Sequence, residues 1–201
     1  RSTPLYSSAA SDVYKRQGAN RLEASYEELP QCLIDAFVAI EDSRFWSHKG
    51  VDVRSMFRAA FGIITGDSSA GGGSTLTQQL IKNMTDNDEV TVKRKILEIF
   101  RALEFERNYS KEEILEMYLN YIYLGESCYG VGTASYTYFG KPVSELSLAE
   151  SASLISITNN PSAYDPYISE RSKERNKERQ ELVLYKMCEL GYITEAVSYT
   201  H

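Results

Sequence analysis

The chain has 201 residues, 42% hydrophobic and 25% charged, which suits one globular domain or one with a small lobe attached. Its net charge of −6 lacks the broad positive field of non-specific nucleic-acid binders, so no nucleic acid is expected as a partner. Three cysteines with no CxxC pair and only two histidines, His48 and His201, argue against a disulfide framework, a zinc site and histidine-rich metal chemistry. Carboxylates are left as the acid–base groups.

Residues 1–17 carry no helical period and read as a disordered or foreign tail. Ser25 and Glu28 have the spacing of a capping box, which predicts a helix through Leu33, Phe37 and Ile40. If that helix continues, Phe37 and Phe45 lie four residues either side of Glu41 on one face. A carboxylate between two phenyl rings is poorly solvated and suited to taking a proton. The alternative is a solvated Glu41 at a helix end, paired with Arg44. "VDVRSMFRAAFGIITG" predicts a second helix, stopped by Gly66.

Next comes "GGGSTLTQQLIKN", Gly71 to Asn83. It lacks the Gly-Lys-Ser/Thr ending of a nucleotide-binding loop. Backbone N–H groups with Ser74, Thr75, Thr77, Gln78 and Gln79 are neutral donors, and Lys82 is the one cation beyond them. That set suits a sugar bearing a phosphate better than a nucleoside triphosphate.

"VTVKRKILEIFRALEFERNY" is the strongest helix in the chain. Val92, Ile96, Ile99 and Leu103 form one stripe, with Arg94, Glu98 and Arg101 opposite and Lys95 on a flank. Leu97 and Phe105 bracket the charged cluster, which predicts a central helix whose charged band faces a cleft. The alternative is a solvated face of i,i+4 pairs. Ser110 with Glu113 caps "KEEILEMYLNYIYLG", which ends at Gly125, and Ser147 with Glu150 caps "LAESASLISI". "NNPSAYDPY" breaks the pattern, and "SERSKERNKERQELVLYKMCELG" closes it with a charged amphipathic helix. The chain is mainly α, and it holds no window of about 18 uncharged apolar residues that could span a bilayer.

Four stretches now combine: "EDSRFWSHKG", "GGSTLTQQLIKN", "RKILE" and "SKEEILEMYLNYIYLG". In this order and spacing they resemble the peptidoglycan glycosyltransferase (transglycosylase) domain of class A penicillin-binding proteins and monofunctional cell-wall transglycosylases. "YGVGTASYTYFGK" followed by "LSLAESASLI" looks like that family's fifth block. The resemblance implies a lysozyme-like helical large lobe with a smaller membrane-facing lobe, about 50–72, inside a domain spanning 18–196. The stretch 197–201 is a second unmatched tail, and both tails are expected to be artefactual.

The resemblance implies polymerisation of lipid II, on the extracytoplasmic face of a bacterial cell membrane, into β-1,4 glycan strands with release of undecaprenyl pyrophosphate. Glu41 matches the catalytic base, and Glu98 the second glutamate that organises the pyrophosphate. Glu98 is also the tentative ligand for a divalent cation, Mg2+ or Mn2+. Substrate-binding positions fall on Asp42, Phe45, His48, Gly73, Ser74, Thr75, Thr77, Gln78, Gln79, Lys82, Asn83, Arg94 and Lys95. Met56, Phe57, Phe61, Ile63 and Ile64 either enter the lipid interface or form a small-lobe core. A C-terminal transpeptidase domain is the further partner implied for a full-length protein.

The sequence departs from the family at Val90, where an arginine is common with Lys93 nearest, at Thr133, where a glutamate is common, and at Ser43. Two other readings stay open: a lysozyme-like hydrolase or lytic enzyme that cuts the polymer, and a degenerate scaffold that only binds the lipid-linked precursor.

Overall fold

The computed structural model describes residues 21–66, 72–85 and 91–200. Residues 1–17, Gly71 and Val90 lie outside these. Ten α-helices are described: α1 (Gln31–Glu41), α2 (Val53–Thr65), α3 (Leu76–Thr85), α4 (Val92–Asn108), α5 (Lys111–Tyr121), α6 (Val131–Phe139), α7 (Leu148–Thr158), α8 (Pro161–Tyr164), α9 (Glu170–Glu189) and α10 (Glu195–Thr200). The fold is mainly α, and one isolated bridge, Tyr123 to Tyr129, is the strand-like pairing among the described residues. Among them no helix is long and apolar enough to cross a membrane.

Two groups of helices share one core. In the first, α1, α7 and α9 pack together through Leu33, Phe37, Leu154, Ile155, Val183 and Met187, all buried. In the second, α3 packs against α4 and α5 through Leu76, Leu80, Ala102, Ile114 and Leu119. Hydrophobic burial of these side chains is the main force holding the helices in register.

Several helix ends follow the sequence. Ser110–Glu113 and Ser147–Glu150 form complete capping boxes at the starts of α5 and α7. Gly66 ends α2 in the left-handed conformation that glycine adopts without a Cβ penalty. The Ser25–Glu28 box also forms, but it caps a single 3-10 turn, Tyr26–Glu28, not the long helix. Pro30 explains the difference: a residue preceding proline is driven to extended backbone, and Leu29 has φ −76°, ψ 121°.

Two expectations are corrected. The first helix stops at Glu41, because Asp42 takes φ −155°, ψ 73°, so Phe45 never shares a helical face with Glu41. Phe45 is instead fully buried in the turn that follows. On α4 the buried residues are Glu98, Ala102 and Phe105, whereas Val92, Ile96 and Leu103 of the apolar stripe are exposed. The stripe therefore faces outward and α4 is not central. Gly50 shows how closely the turn after Glu41 approaches this helix: its φ is +87°, and a Cβ there would lie 2.5 Å from the Ala102 carbonyl oxygen.

Candidate active site

Glu41 is the last residue of α1, so its side chain emerges where the helix gives way to the turn. Its Oε2 accepts a hydrogen bond from Gln79 Nε2 at 3.0 Å, and its Oε1 lies 3.5 Å from Thr158 Oγ1, whose own proton goes to the Ile155 carbonyl at 2.7 Å. Gln79 is held in turn, its Oε1 accepting from the Tyr118 hydroxyl at 3.0 Å. Burial, with the Glu41 charge adding to it, pushes the Tyr118 phenol well above its ordinary range, so this hydroxyl stays a donor. Gln79 of α3, braced by Tyr118 of α5, thus orients the carboxylate. Arg44 does not pair with Glu41 but forms a two-pronged ion pair with the buried Asp52.

Thr75 and Gln78 form a reciprocal cap at the start of α3. Thr75 N–H donates to Gln78 Oε1 at 3.0 Å, and Gln78 N–H donates to Thr75 Oγ1 at 3.2 Å. The Thr75 hydroxyl donates to the Gly50 carbonyl at 2.7 Å, tying the cap to the turn after Glu41. Gly73 passes so close to α2 that a Cβ would meet the Ala59 methyl at 3.0 Å. Thr75→Ala removes the cap and the Gly50 bond together. It is expected to lower unfolding free energy by about 1–2 kcal/mol, read as an earlier urea midpoint.

Ser74 points the other way. Its Oγ accepts from Lys95 Nζ at 2.8 Å, and the same ammonium donates to Glu98 Oε1 at 2.5 Å. Glu98, buried on α4, lines a cleft of about 260 Å3 with Lys82, Lys93, Arg94 and Arg101. Four cations against one carboxylate make this cleft strongly positive. A second cleft, about 310 Å3, is lined by Glu41, Ser74, Ser55 and Arg58. A third, about 420 Å3, is walled by Gln79, Lys82, Asn83, Tyr123 and Tyr129.

Side-chain bonds and one shared residue link the walls of the three clefts. Ser74, on the wall of the Glu41 cleft, bonds the Lys95–Glu98 pair of the cationic one. Lys82 faces both the cationic and the aromatic cleft, and Gln79 carries the aromatic wall to Glu41. Glu41 and the cation cluster therefore line adjoining clefts, which make a composite groove.

The site residues read from the sequence divide into two sets. Glu41, Glu98, Ser74, Gln79, Lys82, Asn83 and Arg94 border the groove, with Lys95 pinned between Ser74 and Glu98. Asp42 and Thr75 reach its wall but are almost wholly buried, as are Phe45, Thr77, Gln78 and the His48 side chain. This second set bonds within the protein and frames the groove. Thr158 and Tyr118 went unread: Thr158 is 117 residues from Glu41, and Tyr118 looks like an ordinary core residue of α5.

The donor set does not fit a resident divalent ion. Glu98 already carries the Lys95 ammonium and four further cations flank it, whereas Mg2+ and Ca2+ sites gather oxygen ligands. Among the described residues no group of three His, Cys, Asp or Glu side chains could share an ion. The lysines and arginines of the cleft suit it to an anionic group.

The sequence model of the transglycosylase family matches residues 8–188. The chain belongs to the transglycosylase family. Its match reaches back into the 1–17 stretch that the sequence sets apart. Penicillin-binding protein 1F of Bacillus subtilis is 42% identical over 181 residues, covering 89% of this chain and 25% of that protein. Penicillin-binding protein 1A of Escherichia coli is 40% identical over 191 residues, covering 95% of this chain and 22% of that one. The crystal structure of penicillin-binding protein 1A from Haemophilus influenzae aligns with a TM-score of 0.53 at 27% identity, over 90% of this chain and 17% of that one. This transglycosylase chain thus spans about a quarter of the length of the curated relatives it matches.

Proposed function

We propose that the chain is a peptidoglycan glycosyltransferase that joins lipid-linked disaccharide units, the undecaprenyl-diphosphate precursor lipid II serving as acceptor and the growing lipid-linked glycan as donor. One observation carries this reading: an oriented carboxylate, Glu41, opens onto the same groove as the Lys82, Lys93, Arg94 and Arg101 cluster. Glu41 takes the proton from the acceptor sugar's 4-hydroxyl. That oxygen attacks the donor's anomeric carbon with inversion, and the bond to the diphosphate breaks. The leaving diphosphate keeps the electron pair, and the cationic cleft stabilises the charge as it develops. Gln79, braced by Tyr118, holds the carboxylate so that little reorganisation precedes proton transfer.

A hydrolase acting on finished glycan has no diphosphate to neutralise, and the cation cluster would then serve no step. Incubation with lipid-linked disaccharide diphosphate and, separately, with finished glycan tests the choice. Chain growth on the first is expected; turnover of the second alone would contradict the reading, and binding without turnover of either would favour the scaffold.

The surface of α2 supports a membrane partner. Val53, Phe57, Phe61 and Ile64 lie on one face and are all exposed, Ile64 at 82%, with Arg54 and Arg58 exposed beside them. The outward stripe of α4 adds Val92, Ile96 and Phe100. Such faces fit the acyl and headgroup layers of a bilayer, which suits a lipid-borne substrate and the extracytoplasmic face of a bacterial membrane. Phe57→Ser and Phe61→Ser are each expected to lower partitioning onto vesicles by about tenfold, as loss of one buried phenyl ring predicts. Co-sedimentation with the vesicles reads the loss. The relatives are roughly four times longer than this chain, and a C-terminal transpeptidase domain belongs to the proposal for the full-length protein.

A further inference from the structure

Directly after Glu41, Asp42 turns into the protein. Its Oδ2 accepts from the Leu76 backbone N–H, the first of α3, at 3.0 Å and lies 2.8 Å from His48 Nε2. Across the imidazole, His48 Nδ1 stands 3.5 Å from Lys111 Nζ and 3.9 Å from Glu106 Oε1. Glu106 Oε1 accepts from Lys111 Nζ at 2.7 Å and from Thr77 Oγ1 at 2.6 Å. Leu76 and Thr77 are neighbours, so the chain of contacts closes into a ring.

The ring joins the turn after α1, the first turn of α3, the end of α4 and the start of α5. Its side chains are 4% exposed at Asp42, 8% at His48, 4% at Glu106 and 18% at Lys111. Lys111 also lies 4.3 Å above the Phe45 ring. Burial pulls the Lys111 ammonium below its usual range, with Glu106 and then Asp42 opposing the shift. Buried ionic groups are a weak source of stability, because desolvation offsets their attraction and apolar side chains pack as well. What such a ring supplies is geometry. It fixes the first turn of α3 against the residue after Glu41. Gln79, one turn along α3, then meets the Glu41 carboxylate.

We propose that Glu106 and Lys111 are positioning residues, which hold Glu41 and Gln79 in register by closing this ring between α1, α3, α4 and α5. The catalytic part of the inference rests on the glycosyltransferase reading. Neither residue borders the groove; both act through Asp42, His48 and Thr77.

The test uses Glu106→Gln, Lys111→Met and the double variant. Lys111→Met keeps an unbranched apolar stem over Phe45 and removes the charge. Each single variant is expected to lose about 30-fold in kcat with KM unchanged within about threefold, as a sub-ångström misplacement of a reacting group costs. The double variant should lose no more than the worse single one, since a ring is broken only once. Backbone amide exchange gives a readout independent of turnover. Leu76 and Gln79 should exchange about tenfold faster, while Val183 and Leu184 of α9 stay unchanged, a local opening and not a global one. If the unsubstituted chain polymerises and the variants match it, the positioning role is overturned and the glycosyltransferase reading stands. If the unsubstituted chain is inactive, that reading fails, and exchange alone judges the ring. Unchanged exchange at Leu76 and Gln79, or equal acceleration in α9, overturns it.

Discussion

Glu41→Gln is expected to slow polymerisation by about 10³-fold, within the range a general base contributes, while affinity for the lipid-linked diphosphate stays within about threefold. The substitution keeps the shape of the side chain and one oxygen that can accept from Gln79 Nε2, while its amide N–H can donate to Thr158 Oγ1. It removes the ability to take a proton. Little else should change, since the cationic cleft is built from residues of α3 and α4 with Thr91. Single-turnover rates with pre-bound donor, alongside equilibrium binding, separate the two quantities. A Glu41→Gln variant that polymerises within about tenfold of the unsubstituted chain would remove Glu41 from the reaction. One that neither binds nor turns over would show that the carboxylate holds the groove together, a structural part that its hydrogen bond from Gln79 alone does not require.

Lys82→Met is expected to lower kcat/KM by about 10²-fold, the usual cost of deleting one donor that stabilises transition-state charge. Lys82 stands two turns into α3 and borders both the cationic and the aromatic cleft, so in the proposed reaction it stands where the diphosphate meets the sugar. Its charge matters most as the bond to the anomeric carbon breaks and the diphosphate gains charge. The loss should therefore appear in kcat as well as in KM. A rise in KM alone would make Lys82 a ground-state contact, and no change in either would move the leaving group out of this cleft. Lys95 differs, since its ammonium already bridges Ser74 and Glu98.

Much of this was legible in the sequence because it is local. The Ser110–Glu113 and Ser147–Glu150 boxes and the Gly66 stop depend on residues within a turn of each other, and they formed as read. So did the charged band of α4, whose Arg94, Glu98 and Arg101 face a cleft as expected.

What the sequence hid was non-local or ambiguous. Periodicity divides a helix into faces but does not say which face is covered. On α4 the apolar stripe proved to be the exposed side, an outcome that burial against water alone would not predict. Thr75 and Gln78 have the Thr-x-x-Gln spacing of a capping box, a local signal that the sequence carries beside the glycines before it. Thr158 and the Glu106–Lys111 pair carry no such mark, since their partners come from elements distant in the chain.

The most direct measurement is a crystal structure of the chain with a non-reactive lipid-linked saccharide diphosphate and an acceptor disaccharide. Diphosphate oxygens against Lys82 and Arg94, with the acceptor's 4-hydroxyl within about 3.2 Å of a Glu41 carboxylate oxygen, is the predicted result. A saccharide lying along the groove with its diphosphate far from those cations, or with every acceptor hydroxyl out of reach of Glu41, would contradict it.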